Sequence, residues 1–156
     1  MKDKSIQSLK LIYWAIFVGM VVFTIVAVAL APRFAGVAAL ELHQVETLKS
    51  VIIILALAGI PSGFIFHNRK VRRIPADMNW AGKMKLYRNS FIFKIALLES
   101  LALLSLIGFL LSVNKSFLYI TLLLLVAYLL NVPTNEKIAL ELDPLEPMNE
   151  LEKEEE

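Results

Sequence analysis

From Leu11 to Ala31 the chain runs 21 residues without a charge (LIYWAIFVGMVVFTIVAVALA). A helix rises about 1.5 Å per residue, so about 20 apolar residues cross the roughly 30 Å hydrocarbon core of a bilayer. A buried helix of a soluble bundle would keep a polar stripe at a 3.6-residue period where one face meets water, and this run has none. Three more apolar blocks follow: Ser50–Phe66, Asn89–Ser112, which holds Lys94 and Glu99, and the uncharged Ser116–Val132. The second block is short unless the preceding ELHQVETLK stretch continues the same helix, which is the expectation. Composition agrees: 58% of the 156 residues are hydrophobic and 19% charged, against roughly 25% charged in a soluble domain. With no cysteine, disulfides, thiolate nucleophiles and Cys-ligated metals are excluded.

The expected fold is therefore all-α: a polytopic membrane protein with a bundle of four transmembrane helices, spanning about residues 11–31, 47–66, 89–112 and 116–132. Lys2, Lys4 and Lys10 before the first block could mark a signal peptide, but 21 apolar residues exceed a usual h-region of about 7–15. The block reads as an uncleaved anchor. Twelve Lys/Arg lie in the N-terminal tail, the middle loop and the C-terminal tail, against three in the other two loops. The positive-inside rule then places both termini in the cytoplasm. Hairpins of helices one and two and of three and four are expected to be antiparallel. The chain divides into a transmembrane domain, 1–135, and a tail, 136–156, that carries nine of the fourteen acidic residues with Pro144 and Pro147 and is expected to be disordered.

Glu99 is the position that most invites chemistry. It lies ten residues into its block, about 15 Å along the helix and near the bilayer midplane, where a carboxylate costs about 2.5–3.5 kcal/mol on insertion scales. It is expected to face other helices and to be neutral at pH 7, because desolvation disfavours the charged form. At 100° per residue Ala96, Glu99, Ser100, Leu103 and Ile107 share one face, making Glu99 and Ser100 the candidate ion-binding pair. The alternative is a protonated Glu99 donating one interhelical hydrogen bond. Lys94 stands 140° away around the helix and is expected to snorkel to the headgroups.

Small residues suggest close packing: Gly59 and Gly63 form a GxxxG pair around Pro61, where a kink is expected, and Ala15 with Gly19 makes a similar notch. The middle loop holds Arg69, Lys70, Arg72, Arg73, Lys83, Lys85 and Arg88, which read as contacts to anionic headgroups; nucleic acid is not expected as a partner. Glu41, His43 and Glu46 read as interfacial polar residues. No HExxH, phosphate loop or nucleophile elbow occurs, so neither a metal, nor a cofactor, nor a catalytic residue is assigned.

Leu86-Tyr87-Arg88, Ile95-Ala96-Leu97-Leu98-Glu99, Asn131-Val132-Pro133-Thr134 and Lys137-Ile138 give the third-to-fourth-helix half a resemblance to a family of uncharacterised four-helix bacterial inner-membrane proteins. The run around Glu99 is also faintly similar to the carboxylate helix of rotary-ATPase proteolipid subunits, although those have a glycine-rich partner helix and the helices here are Val/Phe- and Leu-rich. The first resemblance implies no biochemical activity; the second implies an ion-binding carboxylate at Glu99. The expectation is a small, non-enzymatic structural or interaction subunit, with the lipid bilayer, a second copy or other membrane proteins as partners. A proton- or cation-coupled transport or rotor-like element using Glu99 is the alternative.

Overall fold

The computed structural model describes residues 2–34, 41–75 and 77–142. The described residues form five helices and no strand: α1 (Lys2–Phe34), α2 (Leu42–Val71), α3 (Trp80–Ser112), α4 (Lys115–Leu129) and α5 (Asn135–Leu142). Three of them, α1 to α3, are long and apolar enough to cross a membrane; α4 is apolar but has only 15 residues. α1 and α2 overrun their apolar blocks at both ends and α3 overruns its block at the start, because Lys, Arg, Glu and Gln continue a helix as readily as Leu does. Hydropathy sees the membrane-facing part of a helix, not its hydrogen bonds.

Side chains set the helix starts. Gln44 Oε1 accepts the Glu41 N–H (3.1 Å), Asn79 Oδ1 accepts the Gly82 N–H (2.9 Å) and Asn114 Oδ1 accepts the Ser116 N–H (2.9 Å), each meeting a donor that the first turn leaves unpaired. The Asn114 cap follows Val113, which ends α3 at φ 52° in the left-handed region. That residue reverses the chain, and α4 returns along α3. Pro61 lies on the exposed side of α2, which continues as helix through it.

The arrangement differs from a four-helix bundle with equivalent members. α3 is a hub: α1, α2 and α4 each pack against it, and α5 touches its beginning. Of the most apolar 18-residue stretch of each helix, 44% is buried in α3, 22% in α1 and 17% in α2. The principal partner of α2 is accordingly α3, rather than α1. Two clusters fill the interior. One, around Leu9, Tyr13, Tyr87, Phe91, Leu98 and Tyr128, lies at the end where α1 begins, α2 ends and α5 sits; we call this the near end. The other, around Ala31, Ile52, Leu106, Phe109 and Phe117, lies at the far end.

The tail differs from its expected disorder as far as Leu142. Its first residues form α5, with Ile138 and Leu142 buried one turn apart. Such an i,i+4 pair gives a short helix one apolar edge to dock. Residues 143–156, including Pro144 and Pro147, lie outside the described residues.

Candidate functional site

The near end brings together polar side chains from three helices. His67, on α2 and 1% exposed, points Nδ1 at Ser90 Oγ of α3 (2.9 Å) and Nε2 at Glu141 Oε2 of α5 (3.2 Å). Ser90 Oγ is also 2.9 Å from the Tyr87 carbonyl. An ionised carboxylate only accepts, so His67 Nε2 carries the hydrogen in the Glu141 bond. The single Ser90 hydrogen then serves either His67 Nδ1 or the Tyr87 carbonyl. The Tyr87 hydroxyl is also within hydrogen-bonding reach of Glu141, and its ring lies edge-on to the imidazole at 5.1 Å. Burial alone would raise the Glu141 carboxyl. The hydrogen bonds from His67 and Tyr87, with the positive field of Lys94, outweigh it and leave Glu141 below its ordinary value.

Beside this cluster opens a cleft of about 520 Å³ between α2, α3 and the α4–α5 connection. Ile60, Phe64 and Leu130 supply apolar wall; Lys94, Lys137 and Glu141 supply charge. Lys94 is 6% exposed, and its ammonium lies 4.9 Å from the centroids of both Phe64 and Phe91. Two ring faces attract a cation but accept none of its hydrogens in a conventional bond. Among the described residues Lys94 has no hydrogen-bonded or ion-paired oxygen. The stem of Lys94 lies under the flanking helices and its ammonium between two rings.

Below the polar cluster, α1 is clasped to α4. Tyr13 Oη donates to the Tyr128 carbonyl (2.6 Å), Tyr128 Oη donates to the Tyr13 carbonyl (3.2 Å), and the rings lie 4.7 Å apart. At the far end Ser105 Oγ and Thr121 Oγ1 both donate to the Phe117 carbonyl (2.7 and 3.1 Å).

The expected pair Glu99 and Ser100 does not assemble into a site. Leu86, Phe93, Ser100 and Ile107, seven residues apart, form the exposed stripe of α3, and the Ser100 hydroxyl donates to its own helix at Ala96 O (2.8 Å). Glu99 and Ala96 flank that stripe, half-buried. The inward positions are Ile95, Leu98, Leu101, Ala102 and Leu106. Gly59 and Gly63 face α3: a Cβ would stand 3.2 Å from Leu101 Cδ1 at the first and 3.1 Å from Leu97 Cδ2 at the second. Ala15 and Gly19 lie on the exposed side of α1, and nothing lies within 4 Å of a Cβ built at Gly19.

Of the basic loop residues, Arg69, Lys70, Arg72, Arg73, Lys85 and Arg88 are exposed and Lys83 is half-buried. Lys70 and Arg73 border a second groove, about 420 Å³, with Phe66 and Phe93. Glu41, His43 and Glu46 are exposed on the first turns of α2. Among the described residues no three His, Asp or Glu side chains converge on a common point. The residues that sequence reasoning missed are His67, Tyr87 and Glu141. A lone histidine closing an apolar block was a visible signal; its partner 74 positions later was not.

Compared with protein-family models, curated proteins and solved structures, the chain matches none.

Proposed function

We propose that the chain is a non-enzymatic integral membrane protein that works by association within the bilayer. Its four helices cross with the near end in the cytoplasm of a bacterium, α4 being the shortest of the four at 15 residues. The observation that carries this reading is the outer surface of α1. Leu11, Trp14, Val18, Val22, Ile25 and Val26 are 44–72% exposed, an apolar face that water would not tolerate. The open Ala15–Gly19 notch lies along it, where a neighbouring backbone can approach closely. The seven basic residues at the end of α2, the start of α3 and between them lie at the near end, where anionic headgroups are their natural counter-charge. The likeness of the α3–α4 half to four-helix bacterial inner-membrane proteins belongs to this reading.

The chain has no cysteine, so single cysteines report topology and association directly. Met78→Cys should be shielded from impermeant reagent outside intact cells and Asn114→Cys labelled. Labelling of Met78→Cys from outside overturns the orientation. Energy transfer between donor- and acceptor-labelled copies in vesicles should fall when Gly19→Leu fills the notch; transfer that is absent in the parent chain, or unchanged by Gly19→Leu, counts against association through this face.

Glu99 favours a second reading in one respect. It has no hydrogen-bonding or ion-pairing partner among the described residues and borders the open stripe of α3, so a neighbouring subunit could reach it. A proton- or cation-handling role would then need the oligomer. Proton flux in vesicles that survives Glu99→Gln would remove it.

A further inference from the structure

Four features of the cleft between α2, α3 and the α4–α5 connection bear on what it holds. Lys94 is buried along its stem, and its ammonium opens onto the cleft without reaching an acceptor oxygen among the described residues. Lys137 adds a second ammonium, whose Nζ donates to the Leu130 carbonyl (3.3 Å). Among the described residues Glu141 is the one carboxylate on the wall, and it is already engaged by His67, so these residues leave an excess of positive charge there. The remaining wall is apolar: Ile60 and Phe64 are one turn apart on α2, and Ala127 and Leu130 lie opposite at the end of α4. α2 and α4 meet only marginally, which leaves the cleft open sideways along the bundle. Lys94 lies six residues past Arg88, the last of the basic run, or about 9 Å along the helix. Its ammonium leans one turn back over Phe91, toward the near end.

We propose that this cleft binds one anionic phospholipid of the near-side leaflet, its phosphate between Lys94 and Lys137 and an acyl chain along Ile60, Phe64 and Ala127. The phosphate supplies the acceptors that the two phenyl rings deny Lys94, and the chain fills the seam that α2 and α4 leave open. A soluble anion would satisfy the lysines but leave that seam empty, so head and chain are both required. The inference rests on the bilayer placement proposed above; failure of that placement shows in the labelling pattern and not in a lipid titration.

Native mass spectrometry of the full chain in a neutral maltoside detergent tests it. The probes are phosphatidylglycerol, phosphatidylcholine with the same chains, and glycerophosphoglycerol, the head without chains. One phosphatidylglycerol per chain should bind about tenfold more tightly than phosphatidylcholine. Lys94→Gln should lose about that tenfold, while Lys10→Gln, which removes the same charge from α1 outside the cleft, should stay within about twofold. Ala127→Phe fills the seam without altering charge and should also abolish the adduct; it decides the matter if Lys94→Gln does not fold. Equal binding of the two lipids, an unaffected Lys94→Gln or Ala127→Phe, or an equal loss in Lys10→Gln overturns the proposal. So does a bare headgroup that binds as well as the whole lipid.

Discussion

At the far end of the bundle the Phe117 ring packs against Gly108, where a Cβ would come within 2.8 Å of it, and the surrounding cluster is aliphatic and aromatic. At the near end the contacts that join α2 to α5 and α1 to α4 are directional: His67 to Glu141, and Tyr13 and Tyr128 to each other's carbonyls. In lipid, helices gain little from leaving an apolar solvent, so association rests on van der Waals fit and interhelical hydrogen bonds. Both ends use both sources, in different proportion: at the far end Ser105 bonds α3 to α4 at the Phe117 carbonyl, whereas at the near end such bonds join α1 to α4 and α2 to both α3 and α5. The far end should therefore respond mainly to changes of volume, and the near end more to loss of a single polar atom.

The largest expected effect is at Phe117. Phe117→Ala removes a ring that is 0% exposed but keeps the backbone carbonyl bonded by Ser105 and Thr121. The loss is thus one of packing and should be about 3 kcal/mol, the lower part of the range for such truncations. Reversible unfolding in mixed micelles measures it. A loss under about 1 kcal/mol would mean that the far end collapses around the void or is not tightly packed. Gly108→Ala approaches the same contact from the other side and should cost about 2 kcal/mol by overpacking. Gly59→Ala should cost less, because its Cβ would meet only the movable end of Leu101 at 3.2 Å. Combining Gly108→Ala with Phe117→Leu should recover part of the loss, and strict additivity would show that the two residues are not in contact.

Tyr13→Phe comes next. It deletes the shorter bond of the clasp, 2.6 Å, and keeps the ring stack, so about 1 kcal/mol is expected. Tyr128→Phe removes the longer bond, 3.2 Å, and should cost less. The reverse order, read from the same unfolding assay, would break the assignment of the stronger bond to Tyr13.

The helices were legible in the sequence because apolar length reports a span directly, and three of the expected four are long enough. α4 falls short because its helix ends at Leu129, before Asn131 and Pro133, whereas an apolar block counts Leu130 and Val132 as if they were helical. The azimuth of α3 was not legible. A helix that is apolar all round gives no periodicity from which to choose its inner face, so Glu99 could be placed at its depth but not pointed. Only the hub arrangement decides that Ser100 faces out and Lys94 in. α5 was hidden by averaging: acidic composition across 136–156 masks Ile138 and Leu142, the buried apolar residues that dock its first seven. The polar cluster depends on that docking, since Glu141 lies on α5.

The smallest effect is local and concerns how α5 is held. The docked Glu141 carboxyl titrates below its ordinary value of 4.5: burial pushes it up, but the His67 and Tyr87 hydrogen bonds and the Lys94 charge prevail. A carboxyl lowered by docking stabilises the docked state fully above the ordinary value, and that contribution fades as pH falls through the docked value. α5 should thus stay docked from neutral pH down to about 5 and loosen below 4.5, while the Tyr13–Tyr128 clasp and the far end hold. A nitroxide at Leu140→Cys, an exposed position on α5, reports this as a rise in mobility confined to the acid range. Glu141→Gln should show the mobile spectrum already at pH 7 and little change on acidification. A spectrum that does not loosen in the acid range, or a Glu141→Gln variant as immobile as the parent, would place the hold on α5 in Ile138 and Leu142 alone, and the near end would then differ from the far end only in degree.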